Sequence, residues 1–319
     1  MVVTSKKKCP LEKFIYIGHK AHVSSAQTAV LSREGIVISE RELERIDRII
    51  SPLIMNGQSI PNIFMTHKDD IMLDESTIYK YVKLGLFDAK TTDLLNVVKM
   101  KPRRKASKIK VEKSFLKNRT YRDFLEFIKN NPDTPIVQMD SVEGIKGCGE
   151  AVLLTIHFVE SELMLAFKRE ANTARSVTNI IDDIYEKLGH EVFVDLFKIC
   201  LCDRGSEFSN PSAIETTSSG IRRSRVFYTD AGAPYQKGAC ENNHSLIRRV
   251  IPKGTSLNGY SQEQIELLMN NINSYKRKKL NNRSAIETFN FFHNKLILEK
   301  LDVSLIEPDN IILNKKLFN

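Results

Sequence analysis

The sequence predicts an α/β protein: a mixed five-stranded sheet flanked by helices, preceded by a small all-α region and a basic linker. Three observations carry this. From about residue 133 onward, short apolar runs bounded by turn signals alternate with segments of helical periodicity. Before residue 96 only helical spacing occurs. Between the two, seven of the thirteen residues from Lys101 to Lys113 are Lys or Arg and apolar periodicity vanishes, which reads as a linker.

The helical region opens at Ser39, with Glu42 three residues on in the pattern of a capping box. Leu43, Ile46, Ile50 and Leu53 then recur at helical spacing, and Pro52 is expected to break or kink this helix near its end. "QSIPNIFMTHKDD" is a short helix candidate. Asp74 is placed to cap "ESTIYKYVKLG" and Gly85 to stop it. Two short helices joined by a turn suit a helix-turn-helix, with Thr77, Lys80 and Ser76 available to DNA and Ile78 and Val82 facing the core. Unrelated helical pairs share this spacing. Arg103, Arg104 and Lys105 of the linker would neutralise phosphates and release counterions, the alternative being a solvated spacer.

"TPIVQMDSVEG" reads as a first strand ending at Asp140, "AVLLTIHFVES" as a second and "LMLAFKREA" as a third, in an antiparallel meander. In "TARSVTNIIDDIYEKLG", Val177, Ile180, Ile181, Ile184 and Leu188 share a helical face and Gly189 stops it. "VDLFKICLCD" feeds a fourth strand ending at Asp203, "SRVFYTD" is a fifth, and "KGACENNHSLIRRVIPKG" is a helix closed by Pro252 and Gly254. The domain boundaries expected are 1–38 for an N-terminal segment, 39–95 for the helix-turn-helix region, 96–132 for the basic linker and a connecting helix, 133–290 for the catalytic core, and 291–319 for a C-terminal tail.

Charge and cysteines narrow the function. Forty-eight Lys and Arg against 39 Asp and Glu leave a formal charge of +9, which favours an anionic partner, nucleic acid first; a merely basic surface is the alternative. The start lacks the apolar stretch of a signal peptide. No segment reaches the roughly 18–20 apolar residues of a membrane span. None of Cys9, Cys148, Cys200, Cys202 and Cys240 forms a C-x-x-C pair, so no structural zinc site is expected and a reducing cytoplasm is the natural compartment.

Three acids stand out by position: Asp140 and Asp203 at strand ends, Glu241 in the first turn of a helix. If the first and fourth strands are neighbours, Asp140 and Asp203 emerge together, and a helix across that face could bring in Glu241. Three hard oxygen ligands select Mg2+ or Mn2+ rather than zinc. Two such ions about 4 Å apart would also clamp the attacking and leaving oxygens of a displacement at phosphorus. His244, Ser245 and Arg248 follow Glu241 at i+3, i+4 and i+7, so His244 and Arg248 are DNA-contact candidates. A histidine at the surface or behind the metal ligands, and a plain surface arginine, are the alternatives.

"VQMDSVEGIKG", "LCDRGSEFSNPSAIE", "FYTDAGAPYQKGACENNHSLIRRVIPKGTS" and "LLMNNINSYKRKKLNNRSAIETF" closely resemble the DDE transposases of bacterial insertion sequences, specifically the insertion-sequence family numbered thirty. The resemblance spans the catalytic half almost throughout and extends weakly into the helical region. It implies a retroviral-integrase-like, ribonuclease-H-type core with Asp140, Asp203 and Glu241 as the metal-binding triad. It also implies cleavage freeing a 3′-hydroxyl, then strand transfer into double-stranded target DNA by a dimer or larger assembly in the bacterial nucleoid. Arg204 stands where many relatives have Asn and would add positive charge beside the metals. The chain begins where relatives carry a further helix-turn-helix, so a truncated copy that binds DNA without catalysis is the alternative. A nuclease of the same fold without end specificity is the third reading.

Overall fold

The computed structural model describes residues 16–31, 38–95, 114–145 and 149–318, apart from the side chains of residues 30, 31, 114, 234, 239, 241 and 242. Arg103, Arg104 and Lys105 lie outside the described residues, as do Cys9 and Cys148. The chain divides into two units, residues 1–46 and 47–319.

The first unit holds α1 (Gly18–Leu31) and the start of α2 (Glu40–Met55), where Ser39 Oγ accepts from the Glu42 N–H at 3.3 Å. Pro52 does not end α2. A proline this close to the C-terminus removes only one intrahelical donor, and the final turn is held by burial of Leu53 and Ile54. α3 (Ile60–His67) is capped by Ser59, whose side chain accepts from the Asn62 N–H, and α4 (Glu75–Leu84) ends at Gly85 with φ +72°. Asp74 occupies the N-cap position of α4, but its side chain makes no capping hydrogen bond. Ile78 and Val82 are buried as their spacing predicts.

After α5 (Tyr121–Asn130) come β1 (Ile136–Glu143), β2 (Val152–Phe158) and β3 (Leu163–Arg169). Then follow α6 (Ala174–Leu188), α7 (His190–Leu196), β4 (Ile199–Cys202), α8 (Pro211–Glu215), β5 (Arg225–Tyr228) and α9 (Gly238–Val250). α10 (Gln262–Ser274), α11 (Ala285–Phe292) and α12 (Lys295–Lys300) complete the series. The sheet order is β3-β2-β1-β4-β5, with β1, β2 and β3 antiparallel and β1, β4 and β5 parallel. This is the mixed five-stranded sheet flanked by helices that the sequence predicts. Val194–Leu196, the start of the apolar run expected to feed the fourth strand, instead close α7, a helix restarted directly after Gly189, with Phe193 and Leu196 buried.

Side-chain alternation divides the interior. Val137 and Met139 of β1, with Cys200 and Cys202 of β4, pack with α6, α7 and α11 on one face. Val142, Leu153 and Met164 pack with α9 and α10 on the other, and α5 covers Ile199, Leu201 and Phe227. The C-terminal residues are built into this second layer: Ile311 and Leu313 are buried there, and the Leu313 N–H donates to Asn56 O at 2.8 Å.

On both edge strands, groups from outside the sheet occupy part of the outward backbone row on which another strand could add. On β3, Asn273 of α10 exchanges hydrogen bonds with the Met164 N–H and C=O, and Gln262 does the same between the Lys168 N–H and Ala166 O. On β5, Glu215 Oε1 accepts from the Val226 N–H at 2.9 Å while its carboxylate forms a two-point pair with Arg119 at 2.6 and 3.1 Å. Glu215→Ala would strand both the buried N–H and the guanidinium. It is expected to lower unfolding free energy by about 3 kcal/mol and to promote self-association through β5. Urea denaturation and light scattering measure the two effects; a loss below about 1 kcal/mol would contradict the edge assignment.

Candidate active site

The register of β1 against β4 builds the site. Pairing ends at Met139 opposite Cys202, so the next residues, Asp140 and Asp203, leave the two parallel strands side by side. Asp140 is not the last residue of β1, which runs on to Glu143 by pairing with β2 alone. It is a strand end only on the β4 side, and that is the side on which Asp203 stands. Because Met139 faces the α6 layer, Asp140 projects toward α9, with Gln138 and Val142.

The segment Asp203–Phe208 closes on itself. The Gly205 N–H donates to Asp203 Oδ1 at 2.9 Å, fixing the carboxylate's rotamer. The Glu207 carboxylate returns over Gly205 so closely that a Cβ at 205 would collide with it and would stand 2.9 Å from Asp203 Oδ1. A side chain at 205 would therefore displace the Glu207 carboxylate from this turn, which gives the Asp-x-Gly-x-Glu spacing a steric rationale. Burial is the main force raising the Asp203 pKa, Asp140 and Glu207 add repulsion, and Lys237 opposes them.

Lys237 is the residue the sequence reading left without a role. It ends the turn before α9, is buried, and donates from Nζ to Met139 O at 3.0 Å while lying 3.3 Å from Asp140 Oδ2. Burial alone would lower its pKa; the carboxylates of Asp140 and Asp203 outweigh that and hold it above the ordinary lysine value. The turn is pinned from behind. The Gln236 side chain pairs with both the Asp230 N–H and its carboxylate, and Arg204 donates to Asp230 Oδ1 at 2.6 Å and to Thr229 O at 2.7 Å. Arg204 therefore ties the end of β5 to the loop after β4. Lys237 was legible only in "YQKG", where nothing in spacing distinguishes it from a surface lysine.

His244 also reaches the site. Its Nε2 lies 2.8 Å from Thr155 Oγ1 and 3.4 Å from Cys240 Sγ, and its Nδ1 lies 3.9 Å from Asp140 Oδ2. Thr155 is the cross-strand partner of Asp140 and donates its hydroxyl to the Asp140 carbonyl. Burial pulls the His244 pKa down; Asp140 raises it, and Lys237 and Arg248 lower it further. Behind Asp140, buried Arg169 donates to Ser141 Oγ at 2.7 Å and lies in the field of Glu207.

The other sequence-predicted residues fall as follows. Glu241 is in the first turn of α9, the helix that brings in His244, but its side chain lies outside the described residues. Arg248 donates to Glu143 O at 2.6 Å, bracing the far end of β1, and is half-buried. Ser76 and Lys80 are exposed on α4 and Thr77 is half-exposed, apart from the strand-end cluster. Glu75, at the start of that helix, pairs with Lys278 at 3.2 Å. Among the described residues no helix is long and apolar enough to cross a membrane.

No family model matches the chain. It is 29% identical over 233 residues to the ORF3 protein of Spiroplasma virus SpV1-R8A2 B, which carries the name integrase; the match covers 73% of this chain and 68% of that one. It is 28% identical over 145 residues to the transposase for insertion sequence element IS1086 of Cupriavidus metallidurans, covering 45% of this chain and 40% of that one. It is 30% identical over 141 residues to transposase InsI for insertion sequence element IS30C of Escherichia coli K12, covering 44% of this chain and 34% of that one. The chain thus spans well under two thirds of the length of both transposases. Among solved structures it is similar to the catalytic core domain of BIV integrase, with a TM-score of 0.36 and 19% identity over 50% of this chain and 97% of that one. The chain resembles transposases of bacterial insertion sequences, as its motifs predict.

Proposed function

We propose that this relative of insertion-sequence transposases is itself one: a nucleotidyl-transferase-type enzyme that cleaves and joins DNA with the acidic triad Asp140, Asp203 and Glu241. The observation that carries the reading is the β1–β4 register, which sets two carboxylates from distant parts of the sequence side by side, one of them with a pKa raised by burial and repulsion. The donor set fits hard cations. Asp140 and Asp203 offer only carboxylate oxygens at the strand ends, and their mutual repulsion is what a divalent ion relieves. The triad would hold two Mg2+ or Mn2+ ions. Bound there, such ions supply activation of the attacking oxygen and charge neutralisation at phosphorus.

The chain's own groups set the geometry of that chemistry. Gly205 and Ser141 donate backbone N–H bonds to Asp203 and Asp140, so both carboxylates are oriented in advance. Lys237, anchored on Met139 O, is a positioning residue for Asp140 and a fixed positive charge beside the phosphodiester. Water attacks a phosphodiester at the element's end and releases a 3′-hydroxyl; that hydroxyl then attacks a target phosphodiester, exchanging one P–O bond for another. No protein nucleophile and no external energy source enter.

The reader and linker expected from the sequence belong to this proposal, with α3 and α4 as the DNA reader in residues 39–95, the basic linker with Arg103, Arg104 and Lys105 along the backbone, and a dimer or larger assembly pairing two ends. Thr77→Ala and Lys80→Ala are each expected to weaken DNA binding by about 1–2 kcal/mol, some five- to thirtyfold, without changing metal affinity. Fluorescence anisotropy on the element's flanking DNA checks this, and unchanged affinity in both would remove the reader assignment. The reading as a whole is tested by incubating the chain with Mg2+ and a plasmid carrying its gene and flanking DNA. Cleavage and joined products support it. Binding without either favours the non-catalytic derivative, and cleavage without joining favours a nuclease.

A further inference from the structure

We propose that Asp140, Cys240 and His244 form a site for a thiophilic divalent cation, Zn2+ above all, and that filling it withdraws Asp140 from the hard-ion chemistry. Cys240 and His244 stand at i and i+4 of α9, so one helix face presents a thiol and an imidazole together. Sγ lies 3.4 Å from Nε2, and β1 brings Asp140 Oδ2 to 3.9 Å from Nδ1. One donor atom from each residue lies within 4.8 Å of the other two. A tetrahedral zinc centre takes one ring nitrogen and has bonds of ~2.0–2.3 Å and donors roughly 3.3–3.8 Å apart, so side-chain rotations that draw the set in by about 1 Å from its 4.8 Å limit close it. The C-x-x-C spacing that marks many structural zinc sites plays no part, because the third ligand comes from a strand a hundred residues away in sequence.

Chemistry separates this site from the carboxylate pair. Sulfur and imidazole favour Zn2+ or Co2+ over Mg2+, which prefers an all-oxygen shell. Cys240 is fully buried, and Asp140 and His244 are each partly exposed, so entry is from the side on which the Asp140 carboxylate faces solvent. Binding requires two local exchanges. Asp140 Oδ2 must leave Lys237, and His244 Nε2 must leave Thr155, whose hydroxyl then keeps its bond to the Asp140 carbonyl. Zinc binding stands on this geometry alone; its consequence, inhibition of strand transfer, rests on the proposed function.

The test uses the full chain with Cys9→Ser and Cys148→Ser, titrated with Co2+ as a spectroscopic stand-in for zinc. One equivalent is expected to produce a thiolate-to-cobalt charge-transfer band, lost in Cys240→Ser and shifted at least tenfold in Kd by His244→Ala. No band, or a band that persists in Cys240→Ser, overturns the site. Should Cys240→Ser fail to fold, zinc K-edge absorption on the parent decides, since one sulfur neighbour is required and none refutes. In parallel, Zn2+ should inhibit Mg2+-supported strand transfer in the parent. A cobalt band without any strand transfer under Mg2+ would leave the metal site standing and defeat the transposase reading. A band together with strand transfer that zinc leaves untouched would defeat the inhibitory role.

Discussion

Asp140→Asn and Asp203→Asn are each expected to reduce cleavage and strand transfer by at least ~10^2–10^3-fold while leaving DNA binding largely intact, and Glu241→Gln to do the same. The amides keep the size of the carboxyls, and an Asn at 203 can still accept from the Gly205 N–H, so the turn survives. Only the charge that holds metal is lost. Stability separates this from simple misfolding. The Asp203 pKa is raised in the folded state, so folding favours its protonated form, and its ionised form disfavours the fold above that pKa. Stability from this group therefore grows as pH falls through the folded-state value and is lacking at neutral pH. Asp203→Asn should accordingly be at least as stable as the wild type at pH 7 in metal-free buffer, and inactive. Thermal melts beside a strand-transfer assay read both, and near-normal transfer by any of the three variants would remove that acid from the triad.

His157 is expected to dominate the acid sensitivity of the fold. It sits on β2, fully buried, and neither ring nitrogen has a hydrogen-bond partner among the described residues. Burial, then the charges of Arg277 and Lys279, push its pKa from 6.5 down to about 3. The unfolded chain takes up the proton below about 6.5 and the folded chain does not until about 3. The stability from this group is thus complete above pH 6.5 and lost progressively as pH falls toward 3. Between pH 7 and pH 4 that loss amounts to roughly 3 kcal/mol. His157→Gln should flatten the pH dependence of urea unfolding by about that amount, whatever its effect at pH 7. Parallel profiles for wild type and variant would show that other groups govern acid unfolding. The surroundings explain why the ring stays neutral: Glu162, whose Oε2 is 4.0 Å from Nε2, is already engaged by Arg277 and Lys279.

These effects differ in how far they were visible beforehand. The apolar runs of β1 to β5 and the periodicity of α6 are local signals, and they predicted the sheet and its principal helix directly. Asp140 and Asp203 could be read as strand-end acids because the apolar runs stop beside them. α7 is not legible because seven residues after a glycine stop carry too little periodicity to distinguish a helix from the approach to a strand. The C-terminal residues looked like a tail because burial of Ile311 and Leu313 depends on α10, which sequence distance conceals.

The sequence by itself determined the five strands and the helix α6, the basic charge, and which acids close apolar runs, since each depends on residues within a turn or two of one another or on bulk composition. Only the tertiary structure decided that Lys237 stands beside Asp140 in the field of Asp203, that Arg204 turns to Asp230, and that Cys240 and His244 meet Asp140. The reason is physical: strand register and helix docking are settled by burial summed over the whole core, so which distant side chains become neighbours is not encoded at any one of them.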